Sequence, residues 1–286
     1  MRFLKIGLIV VVLVVVGIGG FVYVQLSSIE VERISDDLFV LRGLGGNTAV
    51  LRTAEGTVIV DTMTLPLQGN RIREIATELT DAEPIMIINT HYHLDHTHGN
   101  PAFAPGTRVL STERTLSHLQ ALDADFWTGD AAQLLPNETF SDRRRIVVGG
   151  KTIDLMYVGR GHTDGDLVVL LPDENVVHMG DLHFNRHYPN IDLEAGGSVR
   201  DWPMTLERVL EFEFEIVSPG HGATTDRDGI RQFQSFMAQL SQIGSDAAAQ
   251  GTSLADTLQT DRLTAEEGYE PISFVVSLGL DRHFVL

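Results

Sequence analysis

Three features of this 286-residue sequence predict a mixed α/β fold. Short β-branched apolar runs recur at residues 38–41, 48–51, 57–60 and 84–88. Between the third and fourth, residues 67–79 carry Ile72, Ile75, Ala76 and Leu79 at helical spacing, so strand, helix and strand follow one another. A hydrophobic content of 43% over this length is enough for one large packed domain and argues against disorder.

The chain begins with Arg2 and Lys5, followed by an uncharged stretch from Ile6 to Val24 rich in valine, leucine, isoleucine and glycine. That is close to the ~20 apolar residues that span a bilayer. Gln25-Leu26-Ser27-Ser28 lacks the small-x-small pattern of a cleavage site, so residues 1–28 read as an uncleaved signal anchor and transmembrane segment, the alternative being a cleaved signal peptide with an unusually long apolar core. Cations before the span, with Glu30 and Glu32 after it, place the amino terminus in the cytoplasm and residues 29–286 on the extracytoplasmic side.

Glycine-rich and Ala54-Glu55-Gly56 turns separate the first strands, which therefore read as antiparallel neighbours. Asp61 ends the third, either as a support for a site or as a turn cap. After the helix and the strand at 84–88, a further strand is expected near Val109-Leu110 and a helix over 113–122, with His118 a packing or surface residue. Phe126 and Trp127 lie in a poorly periodic segment, where they either line a pocket or pack this insertion onto the body. Arg143-Arg144-Arg145 opens a hairpin that turns at Gly149-Gly150 and reads as a solvated edge. Residues 202–212 and 229–242 have helical periodicity, Glu211, Glu213 and Glu215 form a solvated face, and residues 272–276 are apolar enough to pack back.

Chemistry concentrates after the strand at 84–88, in Thr90-His91-Tyr92-His93-Leu94-Asp95-His96. His91 and His93 are two apart, so an extended backbone points both the same way, and Asp95 and His96 follow closely enough to serve a second site. Three imidazoles and a carboxylate in six positions are costly to hold together unless something binds them. Imidazole nitrogen with carboxylate oxygen suits zinc and other borderline divalent ions. Three more residues of these types each follow an apolar run: His162, Asp181 and His221. The absence of cysteine leaves only nitrogen and oxygen donors, and the formal net charge of -18 argues against a nucleic-acid surface.

The pattern His91-x-His93-x-Asp95-His96, with Gly161-His162-Thr163, Gly180-Asp181 and Pro219-Gly220-His221-Gly222 in that order, resembles the metallo-β-lactamase fold superfamily. The resemblance runs from about Val31 to about Gln242 and implies an αββα sandwich of two mixed β-sheets flanked by helices. It also implies that His91, His93 and His162 hold one zinc ion, that Asp95, His96 and His221 hold a second, and that Asp181 touches both; iron or manganese would also suit these donors. A hydroxide shared by the two ions would attack the carbonyl of a small-molecule ester, thioester, lactone or β-lactam, with Asp95 orienting it or relaying its proton. The resemblance also places substrate contacts after Asp181, where His183 and His187 stand as candidates for pocket contacts or for a local structural role. Zinc β-lactamases with histidine at the sixth signature position typically lack an aspartate where Asp181 stands, which points away from antibiotics as the native substrate. Two other classes fit less of the pattern: a single-iron persulfide-dioxygenase-like enzyme held by His91, His162 and Asp181, and a non-catalytic anchored binding module. Neither the substrate nor the oligomeric state is legible in the sequence.

Overall fold

Successive side chains of a strand face opposite ways, and here both directions are apolar, which demands a packing layer on each side of each sheet. In the strand Gly56–Val60 (β4), Val58 and Val60 join one buried cluster and Ile59 another; in Pro84–Ile88 (β5), Met86 and Ile88 part from Ile87 in the same way. The computed structural model, which describes residue 24 and residues 27–253, 255–257 and 263–272, resolves these directions into a sandwich of two mixed sheets flanked by helices.

The first sheet runs in sequence order through Glu30–Arg33 (β1), Leu38–Arg42 (β2), Thr48–Thr53 (β3), β4, β5, Arg108–Thr112 (β6) and Glu138–Phe140 (β7). The pairs from β1 to β4 are antiparallel and those from β4 to β7 parallel. Helix Pro66–Thr80 (α1) makes the β4–β5 crossover and Glu113–Ala121 (α3) the β6–β7 crossover, the latter capped by the Thr112 hydroxyl, which accepts from the Thr115 amide, while residues 89–107 join β5 to β6. The second sheet has the order Thr225–Asp226 (β13), Ile216–Ser218 (β12), Val176–His178 (β11), Val168–Leu171 (β10), Lys151–Met156 (β9) and Arg143–Val148 (β8). Only β11 and β12 are parallel in it.

Between the sheets lies one core that includes Leu51, Val58, Met86, Ile153, Val169 and Val176. Ile59, Ile72, Ile75 and Ile87 fill the outer layer of the first sheet. Val168, Val177, Trp202, Leu206, Phe233 and Phe236 fill that of the second, where Trp202–Leu210 (α4) and Arg227–Gln250 (α5) pack.

Several expectations shift. Asp95 and His96 stand on a one-turn helix, Leu94–Thr97 (α2), and not in open loop. Helix α5 extends eight residues past the periodic stretch, to Gln250, because Ala247-Ala248-Ala249 are strong helix formers; it ends at Gly251 in the left-handed region. Helix α4 stops at Leu210, short of the expected 212. Phe126 stacks on His98 at 3.4 Å between ring centroids, and the Trp127 indole donates to Asp123 at 2.8 Å, as does the His98 ring, so these aromatics pack the insertion onto the body. The arginine run forms edge strand β8, with Arg144 paired to Glu138 and Arg145 to Asp154. The expected membrane span lies, apart from Val24, outside the described residues, among which no helix is long and apolar enough to cross a membrane. Of the apolar tail only Ile272 is described, and it packs on the α4/α5 core.

Candidate metal centre

All the strands that feed the site deliver their carboxyl ends to one rim. Parallel β4 and β5 release Asp61 and residues 89–93 there; β9 leads to His162, and parallel β11 and β12 lead to Asp181 and His221. Asp95 and His221, 126 positions apart in sequence, thereby meet.

The seven predicted ligands fall into two clusters. Ligand atoms of His91, His93, His162 and Asp181 lie within 4.8 Å of one another, as do those of Asp95, His96 and His221. Asp181 joins the two: its Oδ2 lies 3.5 Å from His162 Nε2 and 3.8 Å from His91 Nε2, while its Oδ1 lies 3.1 Å from His96 Nε2 and 3.4 Å from His221 Nε2. Asp95 Oδ2 completes the second cluster at 3.2 Å from His221 Nε2.

Whether this donor set suits metal is decided by the atoms left over. His91 Nε2, His96 Nε2 and Asp181 Oδ1 are buried with no hydrogen-bond partner among the described residues, and all three face the shared space. An orphaned buried polar atom costs roughly 1–3 kcal/mol, and three converging ones are what a cation between them would satisfy. Nitrogen and oxygen donors in this ratio fit zinc, and iron or manganese as well.

The other ring nitrogen is held in four of the five histidines. His96 Nδ1 donates to Asp61 at 2.7 Å, His162 Nδ1 to the Asn190 carbonyl at 2.8 Å, and His93 Nε2 to Asp192 at 2.8 Å; His91 Nδ1 lies 3.1 Å from the Thr90 hydroxyl. Such partners fix which nitrogen faces the metal. Asp61 is fully buried and also accepts from the Thr90 amide and hydroxyl at 2.8 and 2.7 Å, so it supports the site and does not cap a turn.

Glycines make the close approaches. A Cβ at Gly46 would overlap the His96 ring, and one at Gly220 would overlap Asp181 Oδ1.

The clusters differ electrostatically. Burial lowers the pKa of His91 well below the ordinary histidine value and that of His162 to about 4, with neighbouring imidazoles adding to the effect, so both rings are neutral near pH 7. Burial opposes charge at His96 and His221 too, yet Asp181 and Asp95 outweigh it, raising His96 well above its ordinary value and His221 to about 9. Burial works against charge on Asp95 as well, and His96 and His221 nonetheless hold it down at about 2.

The two histidines after Asp181 have separate fates. His183 is fully buried, edge-on to Phe233, with neither ring nitrogen hydrogen-bonded among the described residues, so it is a core residue and no pocket contact. Burial alone lowers its pKa to about 3. Because that lies below the unfolded value of 6.5, folding stability is intact above pH 6.5 and falls as the pH drops toward 3, by at most about 1.4 kcal/mol per pH unit from this group. His183→Leu is expected to flatten the dependence of the melting temperature on pH between 6 and 4, checked by thermal unfolding of both proteins across that range. His187 is half-buried, and its Nδ1 lies 3.3 Å from the Glu270 carbonyl.

Sequence reasoning missed Asp192, Tyr92 and His178. His178 sits fully buried beneath Asp61, with Nδ1 2.9 Å from the Ser218 hydroxyl. No local signal marks them, since each acts on a residue distant in sequence.

The sandwich's two sheets thus send histidines and carboxylates to one rim, where they form two groups able to hold metal ions. The model of the Metallo-beta-lactamase superfamily matches residues 41–221, and the chain belongs to that family. It is 24% identical over 216 residues to a metallo-β-lactamase type 2 of Bacillus cereus, covering 71% of this chain and 80% of that protein. It is 30% identical over 222 residues to an uncharacterised Mycobacterium tuberculosis protein, covering 69% and 95%. A 27% match to the 2,4-dinitroanisole O-demethylase subunit alpha of Nocardioides covers 67% of this chain but only 55% of that relative's length. Among solved structures, the metallo-β-lactamase from Pontibacter korlensis superposes with a TM-score of 0.65 at 22% identity, over 74% of this chain and 99% of that one, a likeness of fold.

Proposed function

We propose that this chain is a binuclear metal-dependent hydrolase, with two zinc ions, that attacks the carbonyl of a small ester, thioester, lactone or β-lactam. The observation that carries the reading is Asp181, whose two oxygens each face a different cluster. The second cluster is complete, which favours two ions over the single-iron arrangement.

Bound divalent ions would supply a nucleophile from water at neutral pH and polarise the carbonyl. The chain supplies the rest. Asp95, partly exposed and held ionised, accepts the nucleophile's proton at a carboxylate oxygen and orients the attack. His93 and His162, fixed through their outer nitrogens, hold the first subsite in register, and Asp61 does so for His96 in the second. Residues 6–24 would anchor the enzyme, with the catalytic domain outside the cytoplasm. Relatives named O-demethylase and linear primary-alkylsulfatase argue for testing an aryl ether and a sulfate ester beside the carbonyl panel.

Removing metal with a chelator is expected to abolish turnover, and adding back zinc to restore it, measured on thioester, lactone and chromogenic cephalosporin substrates. Turnover that persists after complete metal removal would contradict the proposal.

A further inference from the structure

The segment between Asn190 and Ser198 is laid along the residues that carry His162. Asp192 N donates to the His162 carbonyl at 3.0 Å, Asp164 N to the Ala195 carbonyl at 2.9 Å, and Ser198 N to the Gly161 carbonyl at 2.8 Å. The segment also closes on itself, with Ala195 N donating to Asp192 Oδ1 at 3.0 Å and Gly197 N to the Asp192 carbonyl at 2.7 Å. A Cβ at Gly197 would overlap the His162 carbonyl, so the contact leaves no slack.

From this fixed backbone the Asp192 carboxylate reaches across to the other sheet's loop. Its Oδ2 accepts from His93 Nε2 at 2.8 Å and from the Tyr92 hydroxyl. Burial would raise its pKa, but those two bonds hold it well below the ordinary carboxylate range. The same segment accepts from His162 Nδ1 through the Asn190 carbonyl. One nine-residue stretch therefore grips two ligands of the first cluster, which come from different sheets, and touches none of the second.

We propose that Asp192 is the positioning residue of the first metal subsite, clamped by Tyr92, and that it aims His93 Nδ1 at the site by holding His93 Nε2. The role rests on the metal reading above. A carboxylate behind a ligating imidazole fixes its orientation and raises its basicity, so removing it weakens the ion it serves. Asp61 serves the second subsite separately, which makes the expected effect selective.

Zinc and cobalt(II) titrations of the full chain, with competing chelators, test this in wild type, Asp192→Ala, Asp192→Asn and Tyr92→Phe. In wild type two ions are expected. In Asp192→Ala the affinity of one ion should fall about 10–100-fold, the range for outer partners of metal ligands, with the other unchanged. Asparagine has one acceptor oxygen, which can serve His93 Nε2 only by turning its NH2 toward Ala195 N, so Asp192→Asn should recover only part of the loss, and Tyr92→Phe should lose less than either. The cobalt absorption bands of one site alone should shift in Asp192→Ala, a change that general destabilisation would not produce, and the melting temperature of metal-free protein checks folding. Equal weakening of both ions, or two unchanged affinities with an unchanged cobalt spectrum, would overturn the role of Asp192 alone; a wild type that binds no metal would overturn both it and the metal reading.

Discussion

Asp181→Asn is expected to leave one bound metal in place of two and to lower kcat/KM by more than about 100-fold, beyond the 10–100-fold typical when only a partner of a ligand is lost. The carboxylate is the one group shared by both clusters, and its amide replacement presents a donor NH2 to one of them. It also carries the charge that favours protonated His96 and His221. The consequence for the metal-free protein has a definite sign. The folded pKa of His221, about 9, lies above its unfolded value of 6.5, so the interaction stabilises the fold fully below pH 6.5 and is lost as the pH rises through 9. Asp181→Asn should accordingly destabilise metal-free protein more at pH 6 than at pH 10. Metal content, steady-state kinetics and thermal unfolding at the two pH values check the three parts.

Gly220→Ala is expected to damage the centre without removing any ligand. Its Cβ would overlap Asp181 Oδ1 and lie 2.6 Å from the Gly180 carbonyl carbon. Retreat is blocked, because Gly220 N donates to the Gly180 carbonyl at 2.7 Å and its own carbonyl accepts from Asn47 N at 2.7 Å. Forcing a methyl into such packing costs about 1–3 kcal/mol, and the displaced carboxylate should weaken both metals together. That pattern differs from the selective loss expected at Asp192. Parallel metal titrations and melting curves of the two variants distinguish them, and a Gly220→Ala protein with wild-type metal affinity would show that Asp181 need not be held where it stands.

Much of this fold is legible in the sequence because its signals are local. The runs at 38–41, 48–51 and 57–60 become β2, β3 and β4, and the spacing of Ile72, Ile75 and Ala76 becomes the buried face of α1. All seven candidate ligands converge because each follows a strand whose carboxyl end reaches the same rim. What the sequence hides is long-range. Asp192 lies 99 residues from His93, and nothing in its neighbours shows that a backbone ladder with His162 will carry it there. His183, two residues after Asp181, leaves a pocket contact and a local structural role both open in the sequence, and only its long-range packing edge-on to Phe233 of α5 decides for the core. The extent of α5 was hidden because its last turns have no buried face, and helix propensity alone continues them.

Elemental analysis of the purified full chain, with turnover measured before and after chelation, tests the central claim most directly. Two zinc equivalents per chain in wild type, one in Asp181→Asn, and hydrolysis that vanishes and returns with metal are the predicted result. A single iron per chain with no hydrolysis of any substrate in the panel would contradict it.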